Sequence, residues 1–211
     1  TERTDTITTK YASFGDNILK YSRDGVSYTD TSNSLLFSIT YTMQDPILAL
    51  SEKSGAVADK NGNQIYIFNQ EEPKGQITTL LPIKHLAISN QGVVAVLMEE
   101  SSSSKLEIYS ADGTLIGDGI FDLQDAGAPM NLSISSDGTK IAITFAQING
   151  SKLNSCVAVY NFDSVGENYV DQLVFAKNYT EYILTNQSFV YYITFSVKTC
   201  ISDNKYSPYS I

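Results

Sequence analysis

Tryptophan is absent from the 211 residues, histidine occurs once, and cysteine occurs twice. A Ser-His-Asp or Cys-His nucleophilic site would have to be built on His85, because there is no other imidazole to use. That residue stands beside Lys84 at the start of an apolar stretch, and a rim or core-edge histidine is the reading preferred to a general base. One histidine and two distant cysteines do not supply a zinc cluster. Positive charge is scarce too: Lys and Arg number 14 against 23 Asp and Glu, a net charge of −9. Such a chain has no electrostatic footprint for phosphate backbones, so nucleic-acid partners are excluded, and attachment to an anionic membrane surface is disfavoured. No apolar run reaches the roughly 18 residues that a transmembrane helix needs. The opening TERTDTITTK lacks the apolar centre of a signal peptide, and any membrane anchor is expected outside this chain. A Walker loop is missing, and Gly117-Asp118-Gly119 alone is not a dinucleotide fingerprint.

What the sequence does hold is aromatic and periodic. Fourteen Tyr and nine Phe favour strands, where flat rings suit a pleated surface. The segment 83–121 resolves into four short strands, 86–89, 93–98, 105–110 and 114–121. Asn90-Gln91-Gly92, the polar run 99–104 and Ala111-Asp112-Gly113 connect them. Alternation such as Leu106-Glu107-Ile108-Tyr109 marks a half-buried strand, and Gly92 and Gly113 supply the positive φ of tight turns. A pattern of apolar strand, hydroxyl, polar turn and apolar strand then occurs four times, with the hydroxyl at Ser51, Ser89, Ser135 and Thr185. The intervals are 38, 46 and 50 residues. Gly55, Gly92 and Gly138 are read as the turn glycines, with Ser188 in the fourth copy. Pro46, Pro82 and Pro129 precede first strands, where no ladder donor is needed. Third strands end in Phe68, Tyr109 and Tyr160. NILKYSRDG resembles KLEIYSADG, which aligns Tyr21 with Tyr109. The connection between second and third strands reads as growing from KNGN through EESSSS to AQINGSKLNS.

Four strands per unit at this period predict an all-β fold, a β-propeller of four-stranded antiparallel blades. A repeated antiparallel sandwich is the rival, and it would not place the same turn and aromatic at a blade-like interval. The chain is read as one propeller domain or propeller fragment of four to five units. They lie at approximately 1–45 (partial), 46–81, 82–128, 129–180 and 181–211 (partial). A fragment of a larger propeller is preferred to a closed four-bladed ring, in which the strands 17–21 and 189–197 would pair. Leu86, Ile88, Val94, Val96, Leu132, Ile134, Ile141 and Ile143 are expected to line sheet-to-sheet packing.

Cys156 and Cys200 stand about one blade apart. Equivalent points on adjacent blades exceed the roughly 7 Å Cα limit for a bridge, so two free thiols are expected. Asp59-Lys60-Asn61-Gly62-Asn63 has the opening spacing of a calcium loop, but Gln64 and Gln70 stand where Gly and Glu belong. A type I′ hairpin turn at Asn61-Gly62 is preferred. Asp122, Asp125, Asp163, Glu167 and Asp171 are candidate paired carboxylates for glycoside chemistry, with a separation that the sequence leaves open. The glycosylation patterns at Asn131, Asn149, Asn178 and Asn186 are read as chance matches.

SISSDGTKIAIT resembles the strand pair of TolB-like and WD40-like propellers. The run through YNFDSVGEN resembles an uncharacterised family of bacterial propeller-like proteins with an N-terminal membrane anchor and an extracytoplasmic repeat domain. That resemblance covers most of the chain. It implies an extracytoplasmic, cell-surface or membrane-anchored location, and it brings no catalytic residues. The function expected is a non-catalytic binding or scaffold module for a protein or glycan partner, with no cofactor and no catalytic, cofactor-binding or metal-binding residue singled out. The alternative is a glycan-acting hydrolase or lyase using loop carboxylates. A quinone-dependent dehydrogenase is the weakest reading, because the tryptophans that dock blades in that class are missing.

Overall fold

The computed structural model describes residues 9–122, 126–149 and 152–180. These form four antiparallel sheets of four strands each, and every sheet is a meander in chain order. The first holds β1 (Lys10–Phe14), β2 (Asn17–Tyr21), β3 (Gly25–Thr29) and β4 (Leu35–Thr40). The second holds β5 (Pro46–Leu50), β6 (Ser54–Asp59), β7 (Gln64–Asn69) and β8 (Pro73–Thr78). The third holds β9 (Ile83–Ile88), β10 (Val94–Glu99), β11 (Ser103–Tyr109) and β12 (Leu115–Asp122). The fourth holds β13 (Ala128–Ile134), β14 (Lys140–Asn149), β15 (Lys152–Asn161) and β16 (Leu173–Thr180), with two short 3₁₀ turns, Gly166–Asn168 and Val170–Gln172, before its last strand. This is the β-propeller expected, and each sheet is a blade.

Period-two alternation explains the stacking. The first and second blades meet through Phe14, Leu19, Tyr28, Phe37 and Phe68. The second and third meet through an aliphatic seam that includes Ile65, Ile67, Ile88, Val94 and Val96, with Leu86 packed against it. The third and fourth meet through Leu106, Ile108, Leu132, Ile134, Ile141 and Ile143. All eight expected core residues therefore lie on seams. First strands are innermost, since β9 contacts both β5 and β13.

The repeated hydroxyl has a specific job. Ser51, Ser89 and Ser135 each accept, on Oγ, a backbone N–H from the far side of their turn: Ser54 at 3.0 Å, Val93 at 3.1 Å and Lys140 at 2.9 Å. The turns are also tied in series across blades. Ser51 Oγ donates to the Ser89 carbonyl at 3.0 Å, and the Asn90 N–H donates to the Ser136 carbonyl at 3.1 Å. Thr185, Ser188, Cys200 and the strand 189–197 lie outside the described residues, and with them the question of ring closure.

Several local expectations change. Tyr21 closes β2, not a third strand, and the first blade's third strand is β3, ending at Thr29. The KYS/IYS likeness arises because any half-buried strand running into a polar Asp-Gly turn reads alike. Gly55 is not a turn residue. It lies in β6, which Ser54 opens, and an added Cβ would sit 2.3 Å from the Phe68 ring; the turn before it is Ser51-Glu52-Lys53. The Asn61-Gly62 turn is not type I′, which needs two left-handed residues. Asn61 has φ of 63°, Gly62 is not left-handed, and the Gly62 N–H donates to the Asp59 carbonyl at 3.0 Å. The second-to-third connection does not grow. In the fourth blade the extra residues extend the hairpin, through pairs such as Ala146↔Ser155 and Gln147↔Asn154.

One irregularity recurs in every blade. The pairing of third and fourth strands slips between Tyr28 and Thr29, Ile67 and Phe68, Ile108 and Tyr109, and Val159 and Tyr160. A bulge of this kind bends and twists the strand that follows it.

Candidate binding groove

A groove lies between the outer parts of the third and fourth blades. β12 carries Gly117 and Gly119 opposite Ile108 and Leu106, on the face that looks toward the fourth blade. A Cβ built on Gly119 would touch nothing nearer than Phe121 at 3.8 Å, and one on Gly117 would meet only ordinary contacts, Ile108 at 3.5 Å and Phe162 at 3.8 Å. Two missing side chains on the outermost strand therefore leave the seam unfilled. The result is a cavity of about 670 Å³ lined by Leu106, Phe121, Tyr160, Phe162 and Tyr169 among others.

Phe121 anchors the floor. Its ring stands 5.4 Å from both Phe145 and Tyr160. The rim comes from the connection 162–172, eleven residues long where the other blades use five, three and five at the same place. Asn161 is buried and accepts the Asp163 N–H on its side chain at 2.9 Å, and the Gly166 N–H then bonds the Asp163 carbonyl at 2.8 Å. The rim ends in Asp171 and Gln172, two successive left-handed residues with φ of 54° and 58°. Conformations of this kind cost non-glycine residues about 1–2 kcal/mol each. Among the described residues the lining includes Asp118, Glu167 and Asp171, and no Lys, Arg or His. Burial first, then the charges of Cys156 and Asp171, push the Tyr160 hydroxyl up to about 12, so it stays protonated at neutral pH.

Of the five carboxylates picked out for glycoside chemistry, the fold brings Glu167 and Asp171 to the same groove. Asp122 ends β12, Asp163 is bound into the turn after β15, and Asp125 lies outside the described residues. His85 is elsewhere, half-buried on β9. Burial, then Lys60 and Lys84, push its imidazole below the usual histidine range, with the Pro129 backbone on the neighbouring first strand pulling the other way. That is a seam histidine, neutral at pH 7 and away from the carboxylates. Asp59 accepts the backbone N–H groups of Gln44 and Asp45, each at 2.9 Å, and so fixes the link between the first two blades. Cys156 bears a free thiol, half-buried, and burial raises its pKa. Neither Tyr169 nor Phe162 stood out as a candidate site residue in the sequence, and Gly117 and Gly119 drew notice only as an incomplete dinucleotide motif. The signal present in the sequence was the long insert before the fourth blade's last strand, which has no counterpart in the other units.

Among the described residues, no helix is long and apolar enough to cross a membrane. No curated protein matches the chain. Among solved structures it is similar to Kluyveromyces lactis Hsv2p, at 12% identity and a TM-score of 0.52, over 80% of this chain and 54% of that one. It also matches the Neurospora crassa Pan2 WD40 domain, at 15% identity and 0.46, over 72% and 48% of the two chains. A third match is BamB from Moraxella catarrhalis, at 13% and 0.47, over 64% and 39%. The chain thus spans about half the length of the first solved structures it matches. The model of DUF5711, a family of unknown function, matches residues 1–211, and the chain belongs to that family.

Proposed function

We propose that the chain is a non-catalytic binding or scaffold module, part of an extracytoplasmic, membrane-anchored bacterial propeller, and that it holds a protein or glycan partner in the groove between its third and fourth blades. The observation that carries this reading is the groove itself. It has an aromatic floor and an acidic rim on a dedicated insert, and the one histidine lies apart from it on an inner seam. Rigid sheets presenting aromatic side chains at a loop-built rim are suited to recognition. The extracytoplasmic location is supported by the likeness of the run through YNFDSVGEN to anchored bacterial repeat proteins.

The convergence of Glu167 and Asp171 favours a second reading, glycan hydrolysis by paired carboxylates. The purified chain, tested against glycan and peptide arrays and against a panel of glycosidase and lyase substrates, is expected to bind without turnover. Robust turnover that disappears in Glu167→Gln or Asp171→Asn would replace the binding reading with the enzymatic one.

A further inference from the structure

The outer strand of the third blade differs from its counterparts. β8 opens with Pro73-Lys74 and β16 carries Lys177, devices that discourage pairing with another chain. β12 has neither Pro nor Lys over its eight residues. Leu115, Ile116 and Ile120 are 49%, 57% and 70% exposed, and among the described residues no strand pairs with the outer edge of β12. β4 is also without Pro or Lys, but it is shorter and uncharged. Four consecutive β12 residues, Asp118, Gly119, Ile120 and Phe121, border the groove. A strand laid along this edge would send alternate side chains toward the slot left by Gly117 and Gly119, and the others toward solvent.

Charge selects the strand that fits. Glu167 and Asp171 stand on the groove side. Asp118 lies opposite Glu107 in the ladder, and the nearby Lys105 is held by Glu107 at 2.8 Å. Resting on the binding-module reading above, we infer that β12 accepts an extended, basic segment of a partner protein as a fifth strand, with Lys or Arg stems against the aromatic floor and their charges at the acidic rim. Long basic side chains combine an apolar stem with a charged head, which matches a floor of rings below a rim of carboxylates.

The probe is an eight-residue peptide alternating Lys and Val, compared with its Glu/Val counterpart, on the full chain. Binding is read by fluorescence anisotropy and by amide hydrogen exchange. The basic peptide is expected to bind, to slow exchange in β12 but not in β4 or β8, and to weaken as salt rises. Ile120→Lys, at an exposed position, should weaken it by at least about fivefold through like-charge repulsion and a protected edge. Gly119→Leu should do the same by filling the slot. The pair Glu167→Gln and Asp171→Asn should cost about threefold and flatten the salt dependence. Four results would overturn the inference: no binding at about 1 mM, a scale of weak affinity; equal binding of the acidic peptide; protection of β12 that appears only with rising chain concentration, which would make a second copy the occupant; or binding untouched by Ile120→Lys. Each leaves the wider binding reading standing, because that reading falls only on turnover.

Discussion

Gly75 on β8 and Gly117 on β12 are the same position in successive blades. Each pairs with the last third-strand residue before the bulge, Ile67 in one blade and Ile108 in the other. Their surroundings are opposite. A Cβ on Gly75 would lie 2.6 Å from the Ala111 carbonyl oxygen and 2.8 Å from the Asp112 backbone, so this glycine lets the second blade's outer strand close onto a turn of the third. A Cβ on Gly117 would meet side chains no nearer than 3.5 Å. One missing side chain seals a seam, and the other leaves a seam open. Glycine in an outer strand therefore has no fixed meaning. The neighbouring blade decides whether the space it vacates is filled by backbone or becomes a groove.

The comparison can be broken from the core outward. Ile134→Ala hollows the third seam beneath the groove and should cost about 2–5 kcal/mol by lost transfer plus cavity. It should loosen the groove as well. A loss under about 0.5 kcal/mol in chemical denaturation, the range of ordinary surface substitutions, would mean that this side chain faces solvent. Gly75→Ala should cost about 1–3 kcal/mol, the range for forcing atoms into filled space. Gly117→Ala should stay within about 0.5 kcal/mol, as surface changes do. Equal losses in the two variants would erase the distinction between closed and open seams.

The smallest effect sharpens the contrast at the inner turns. Asp137 and Gln91 hold corresponding turn positions in the fourth and third blades. Burial would raise the Asp137 carboxyl, but hydrogen bonds from Ser135 and Thr139 and the charge of Lys140 hold it well below the carboxylate range. A depressed folded-state pKa stabilises the fold at pH above the unfolded value, and that stabilisation fades as acid protonates the group. Asp137→Asn should lower stability slightly at neutral pH and give a shallower acid limb below about pH 4. An unchanged limb would show that the turn does not depend on the charge.

The four-stranded blade and its seam residues were legible because seam side chains recur at every second position, as Ile141, Ile143 and Phe145 do, although the first unit, expected to be partial, holds all four strands. Turn identity was less legible. Gly55 reads as a turn glycine like Gly92 and Gly138, but β6 already begins at Ser54 and the glycine packs against the Phe68 ring. The groove could not be read in advance. Phe121, Tyr160 and Tyr169 come from separate strands and an insert, and what unites them is a seam between blades, which local sequence does not encode. The two glycines that open it are indistinguishable, as letters, from the one that closes its neighbour.

The slip between third and fourth strands, repeated in all four blades, acts as an expansion joint. It sits one pair past the connection, after Leu35, Pro73, Leu115 and Leu173 have paired, so phase errors introduced by the connection are absorbed before the rest of the outer strand pairs. The connection is free to run from three residues to eleven while the inner three strands keep their register. A repeat built this way can take on a new rim by insertion at one joint, without asking the core to be redesigned.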